Sequence, residues 1–185
     1  ASLLLAQQGY KPLVLERGYD VDKRTKTIDE LNQKGILSTT SNVLFGEGGA
    51  GTYSDGKLTT LTSDVRHQFI LETFVKFGAN KEILYESKPH VGTDVLGNVT
   101  KKIRQEIMRL GGEIRFESQV TDILIKDQKI IGLEINHQEK IDAEVVLLGI
   151  GHSARDTFYT LFDRGVNMIQ KPFSVGVRIE HPQAL

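Results

Sequence analysis

Along the chain, apolar residues first recur at helical spacing and then, past residue 112, at strand spacing. Residues 2–8 read as the later part of a helix that Gly9 closes as a C-terminal cap. The apolar run Leu13-Val14-Leu15, inside 12–16, predicts a short buried strand ending on an acid and a base, Glu16 and Arg17. A helix followed by a buried strand is half of a βαβ unit, so the first strand and the turn out of it are expected upstream of Ala1. A short helix is expected over 27–34, ended by Gly35. Past a glycine-rich stretch at 41–57, Ile70, Phe74 and Phe77 share one face of a helix expected over 63–77. Thr93-Asp94 can cap another helix, in which Leu96, Val99, Ile103, Ile107 and Leu110 recur until Gly111-Gly112 stops it.

The period then changes. A strand is expected over 114–116, and 120–125 with 130–136 predicts a hairpin across Asp127-Gln128, with Ile131, Leu133 and Ile135 alternating in its second arm. Residues 141–143 extend this into a meander. The run Val145-Val-Leu-Leu148, inside 144–149, predicts a strand buried on both faces of a parallel sheet. It leads into Gly149-Ile-Gly-His-Ser-Ala-Arg155 and a helix to Arg164, and 173–180 predicts one more strand. The fold class expected is α/β.

Composition narrows the partners. A length of 185 residues holds one ordinary domain, or one domain plus part of another. A net charge of -1 gives no bulk attraction to nucleic acid or anionic lipid. No apolar run approaches the ~20 residues of a membrane span. Neither a nucleic-acid nor a membrane partner is expected, and a cytoplasmic location is. The absence of cysteine removes disulfides, thiolate metal sites and thiol nucleophiles. No two histidines have helical metal-ligand spacing, so no metal is expected.

Three segments carry candidate chemistry. Glu16 ends a strand where dinucleotide folds place an acid that accepts from the adenosine ribose, about 20 residues after the first fingerprint glycine; a surface acid closing a strand looks the same. Gly46-Glu-Gly-Gly-Ala-Gly51 permits backbone angles that let amide N–H groups converge on an oxygen or a ring edge, and its tail adds Ser54, Asp55 and Lys57. It lacks the Gly-Lys-Ser/Thr ending of a triphosphate-binding loop, and its bland alternative is a flexible turn. The third is Gly149-Ile-Gly-His-Ser-Ala-Arg-Asp156, a Gly-x-Gly at the end of an apolar strand and before a helix. There Ser153 and Asp156 have the spacing of a capping box, whereas His152 and Arg155 have no such structural task. Lone histidines such as His90 and His181 are more often structural than catalytic.

Together, Glu16-Arg17-Gly18, the 41–58 block, Lys88-Pro-His-Val-Gly-Thr-Asp94, Gly151-His-Ser-Ala-Arg-Asp-Thr157 and the 171–182 segment resemble a family of bacterial FAD-dependent dehydrogenases, glutathione-reductase-like FAD/NAD(P)-binding flavoproteins. The resemblance follows family order along nearly the whole chain. It implies a Rossmann-like FAD domain with a parallel sheet and a β-meander crossover, made of residues 1–57 and 92–156. Residues 58–91 and 157–185 would belong to part of an inserted α+β substrate or cap domain. It further implies that Glu16, beside Arg17, binds the FAD ribose, and that Gly48, Gly49, Ala50 and Gly51, with Ser54 and Asp55, approach the pyrophosphate and flavin. The backbone of Val120 would meet the adenine, and Gly149 and Gly151 would flank the cofactor. Lys57 and His152 are the polar groups expected near the ring. The function implied is hydride transfer between FAD and a small-molecule substrate the sequence does not name, with NAD(P)H a candidate electron donor. A flavin monooxygenase or hydroxylase shares this fold; a non-catalytic flavin-binding module for RNA or a protein partner fits the near-neutral charge less well. Because the fingerprint glycines would lie before Ala1, the segment by itself is expected to hold FAD weakly or not at all and to be inactive.

Overall fold

In the computed structural model, which describes residues 1–53, 56–58, 63–86, 89–177 and 179–183, α1 (Ser2–Gln7) turns at Gly9 into β1 (Leu13–Leu15). Asp20 then starts α2 (Val21–Lys34), its carboxylate accepting from the N–H groups of Asp22 and Lys23. This cap moves the helix start upstream of the expected residue 27; aspartate immediately before a helix was the available signal. Gly35, in the left-handed region with φ 69°, ends α2 as expected. Next come a 3-10 turn at Ala50–Tyr53, α3 (Arg66–Lys76), a second 3-10 turn at Lys81–Leu84 and α4 (Thr93–Arg109). The N-cap of α4 is Gly92, with no side-chain cap, so Thr93 and Asp94 open the helix without capping it.

β1 pairs in parallel with β2 (Glu113–Arg115), in the register Leu13↔Glu113 and Leu15↔Arg115. β3 (Val120–Lys126), β4 (Lys129–Ile135) and β5 (Glu139–Asp142) form the expected antiparallel meander. Asp127 and Gln128, with φ of 49° and 61°, make the tight turn that suits the twist of the flanking strands. The chain closes its described helices with α5 (Arg155–Asp163). The result is a mixed α/β architecture with a small parallel sheet and an antiparallel one.

Two hydrophobic clusters hold the described residues together. One surrounds Leu96 and Val99 of α4 and takes in Ile83, Val91 and, from α3 and its end, Phe74 and Phe77. The other joins Ile123, Leu133 and Leu161, and Leu15 and Val146 pack against it. The helix face read from Leu96, Val99 and Ile107 is therefore buried, as its spacing predicted.

Four strand expectations are corrected. Residues 144–149 form no strand, and Val145, Leu147 and Leu148 lie exposed. Among the described residues no strand lies hydrogen-bonded beside this run, so its backbone is left to water and only Val146 reaches the core. Residues 173–177 form no strand, and Phe173, Val175 and Val177 are exposed; Arg178 lies outside the described residues. β1 is not the fully buried strand expected: Leu13 is exposed and Val14 and Leu15 are half-buried, and among the described residues β2 is its one strand neighbour. In β4 the alternation holds at Leu133 and Ile135 but not at Ile131, which is exposed beyond the register shift at Leu124/Ile125.

Candidate functional site

The carboxyl end of β1 is where separate parts of the chain meet. The Glu16 N–H continues the parallel pairing onto the Arg115 carbonyl at 2.9 Å. Its carboxylate turns back: Oε1 accepts from the N–H of Gly18 at 2.8 Å and from that of Gly46 at 3.1 Å. One oxygen thus fastens the strand end to the first glycine of the 46–51 block. Among the described residues the other oxygen, Oε2, has no hydrogen-bond partner.

Arg17 makes the next joint. Its guanidinium donates from Nη2 to Asp156 Oδ1 and to Thr157 Oγ1, each at 3.0 Å, and Nη1 lies 3.0 Å from Asp156 Oδ2. Its planar group also lies over the Phe45 ring, 4.6 Å from the centroid. Gln119 donates a further bond to Asp156 Oδ2 at 2.8 Å. Burial works to raise the Asp156 carboxyl, but the Arg17 hydrogen bond and the Thr157 N–H outweigh it and hold it below the usual carboxylate range. This overturns the capping box: the N-cap of α5 is Ala154, without a side-chain cap, and Ser153 Oγ instead meets His152 Nδ1 at 3.1 Å. A charge-assisted pair from across the fold has taken the carboxylate that the local motif assigned to the cap.

The glycine block is shaped from behind by Arg24, which the sequence reading missed. Val21, Arg24 and Ile28 are the buried residues of α2, so a helix-face spacing runs through a charged residue. Arg24 has 0% exposure. Its Nε donates to the Asn42 carbonyl at 2.9 Å, and its Nη1 to the carbonyls of Gly46 at 3.3 Å and Glu47 at 2.6 Å. The guanidinium lies 4.6 Å from the Tyr53 ring centroid. Burial pushes its pKa down, against the pull of Tyr53, Glu16 and Glu47. Glu47 pins the same loop to α2 and α4: Oε2 accepts from the Val21 N–H at 2.8 Å, and Oε1 lies 2.9 Å from Arg104 Nε. Burial raises the Glu47 carboxyl despite these partners.

Two of the glycines are required where they stand. At Gly46, φ is 117° and a Cβ would come 2.5 Å from Arg24 Cδ; at Gly48, φ is 84° and a Cβ would overlap Thr52 Oγ1. The block closes on itself through the Gly49 N–H to the Gly46 carbonyl and the Thr52 N–H to the Gly49 carbonyl. The N–H groups of Gly48, Ala50 and Gly51 have no hydrogen-bond partner among the described residues, and all three residues are exposed.

The remaining expected residues are placed as follows. Ser54 and Asp55 lie outside the described residues. Lys57 is exposed and forms an antiparallel bridge with His90, flanked by the bonds Leu58 N–H to Pro89 carbonyl and Val91 N–H to Gly56 carbonyl, both 2.9 Å. Val120 opens β3 and, with Asp156 and Thr157, lines a cavity of about 100 Å³, below the size of ordinary ligand pockets. Gly149 and Gly151 are exposed, and a Cβ at either would meet nothing within 4 Å. It is Asp156 and Thr157, farther along the same motif, that reach Arg17. His152 is exposed. No group of metal-ligating side chains occurs among the described residues, and no helix among them is long and apolar enough to cross a membrane.

No protein-family model matches the sequence. An uncharacterized protein of Clostridium beijerinckii is 54% identical over all 185 residues, and the chain spans 34% of that relative's length. Among solved structures, THI4 of Thermovibrio ammonificans superposes with a TM-score of 0.54 at 19% identity, over 90% of this chain and 58% of that one. At that identity the likeness speaks to the fold. L-Amino acid deaminase from Proteus myxofaciens, solved with anthranilate, gives a TM-score of 0.42 at 15% identity over 90% of this chain and 45% of that one.

Proposed function

We propose that this chain carries much of the FAD-binding part of an FAD-dependent oxidoreductase of the glutathione-reductase-like kind. The observation that carries the reading is the division of labour at Glu16. One carboxylate oxygen is fastened by two backbone amides at the carboxyl end of a parallel strand, and the other has no partner beside a glycine block with three unpartnered N–H groups. A carboxylate held in this way is suited to accept from the vicinal hydroxyls of a ribose, and the unpartnered amides of a glycine-rich loop are suited to a diphosphate. The residues present therefore fit the group.

Glu16 binds the ribose and Gly48, Gly49, Ala50 and Gly51 receive the pyrophosphate, while Arg17 holds the start of α5 against them. The backbone of Val120 faces the adenine, and Gly149 and Gly151 flank the cofactor. Residues 1–57 with 92–156 make the FAD-binding part, and 58–91 with 157–185 part of a substrate or cap domain. Bound FAD would supply the hydride chemistry; Lys57 and His152 would set the charge around it, and NAD(P)H would be the donor.

The test uses the full-length protein. The purified protein should show a flavin spectrum that bleaches with NADH or NADPH. Glu16→Gln keeps an acceptor for the Gly18 and Gly46 amides but turns the second oxygen into a donor. It should unfold within about 0.5 kcal/mol of wild type yet lose FAD affinity about tenfold or more. A colourless wild-type protein that gains no flavin on reconstitution sinks the reading.

A further inference from the structure

Arg24 holds three carbonyls of one loop, those of Asn42, Gly46 and Glu47, and does so from a position with no exposed surface. A peptide unit whose carbonyl points at Arg24 sends its N–H the other way. The carbonyls of Gly46 and Glu47 belong to the two peptide units that lead into Gly48, so their orientation determines how the chain enters the block. The N–H paired with the Gly46 carbonyl in one peptide unit is that of Glu47, and the one paired with the Glu47 carbonyl is that of Gly48, which has no partner among the described residues. Gly46 is held from both sides, its N–H by Glu16 and its carbonyl by Arg24, and its missing Cβ is what lets the Arg24 side chain through. Arg24 is also the only residue of α2 to bond this loop through a charged side chain among the described residues.

We propose that Arg24 is the positioning residue of the site: by drawing the carbonyls of Gly46 and Glu47 inward, it turns the N–H of Gly48, and with it those of Ala50 and Gly51, outward to receive the diphosphate of the cofactor. This rests on the FAD reading above. Arg24 touches no ligand; it acts through the loop. A residue that merely kept the protein folded would affect every ligand alike, whereas a residue that aims amides at a diphosphate affects ligands that carry one.

The experiment is a comparison of FAD with riboflavin, which lacks the phosphates, on the full-length protein freed of its flavin. Wild type, Arg24→Gln and Arg24→Lys are titrated with each, and folding is followed by circular dichroism. In folded Arg24→Gln, FAD affinity should fall about tenfold or more while riboflavin affinity changes by less than about threefold. Arg24→Lys, which keeps a cation but fewer donors, should recover part of the loss. Where Arg24→Gln does not fold, Arg24→Lys carries the same two titrations, with a selective loss of FAD affinity expected. Equal losses for both ligands, or FAD binding equal to wild type, overturn the role of Arg24 while leaving the FAD reading standing. A wild type that binds neither ligand removes the FAD reading itself.

Discussion

Arg24 is a charged residue with 0% exposure, and Val145 is an aliphatic one with 83%. The first belongs to the junction formed by residues 16–53 and the second to the stretch 144–183, and hydropathy alone would have exchanged their places. At the junction most polar groups around the arginine have partners: the carbonyls of Asn42, Gly46 and Glu47, the amide of Gly46 and both oxygens of Glu47. A charge survives burial there because the loop's carbonyls take the hydrogen bonds of Nε and Nη1 in place of water, although Nη2 has no partner among the described residues. In the later stretch Leu161 and Val146 reach a core, but several other apolar side chains have nothing packed over them. Val145, Leu147, Leu148, Phe173, Val175 and Val177 stay exposed beside backbone without a strand to pair with among the described residues. Burial follows from what surrounds a segment more than from its own composition.

That contrast can be broken or sharpened by measurement. The largest effect is expected at Gly46. Gly46→Ala drives a Cβ against Arg24 and places a side chain at φ 117°, and should cost about 1–3 kcal/mol in urea unfolding. A smaller loss would mean that the arginine and its loop can shift apart, and the junction would be looser than it looks.

An intermediate effect comes from pH. The folded state holds the Asp156 carboxyl below its ordinary value, so as pH falls the unfolded chain takes up that proton first. The stabilisation by the Arg17–Asp156 pair is present above the ordinary carboxylate pKa and is lost as pH falls through the depressed one. Melting temperature should therefore drop as pH falls below the ordinary carboxylate pKa of about 4, and Asp156→Asn should flatten part of that slope. Glu47, raised by burial, works in the opposite sense, since its folded state takes up a proton before the unfolded chain does. The difference between wild type and Asp156→Asn isolates the Asp156 carboxylate, which Arg17, Gln119 and the Thr157 N–H all contact. An unchanged slope in the variant would mean that the pair contributes nothing to stability.

The smallest effect is expected in the exposed stretch. Val145→Asp and Val177→Asp should change the stability of the 185-residue chain by no more than about 0.5 kcal/mol, although each places a charge in an apolar run. A loss beyond about 2 kcal/mol would show that these side chains are covered in solution, and the contrast with the junction would vanish.

Much of the fold was legible from local patterns. α4, the meander and its Asp127-Gln128 turn, the end of α2 at Gly35, and the helix and strand at α1 and β1 each depend on residues a few positions apart, and the observed elements follow them closely. Glu16 and the glycine block stood out because an acid at a strand end and clustered glycines are unusual locally as well. The expectations that failed needed distant neighbours. A capping box at Ser153 and Asp156 is a sound local reading, and it lost to an arginine 139 positions away. A strand at 144–149 needs an adjacent strand, which hydropathy does not supply. Arg24 was not legible because its partners are backbone carbonyls 18 to 23 positions on, and carbonyls leave no mark in a sequence.

By itself, then, the amino-acid order determined most of the helices, the antiparallel meander and where the backbone could turn sharply, since those outcomes are governed by dihedral preference and by neighbours within a turn or two. Only the folded arrangement decided which charges go inside and which apolar runs stay wet. Desolvation is settled by the atoms that end up around a group, and those come from parts of the chain that the order of residues keeps far apart.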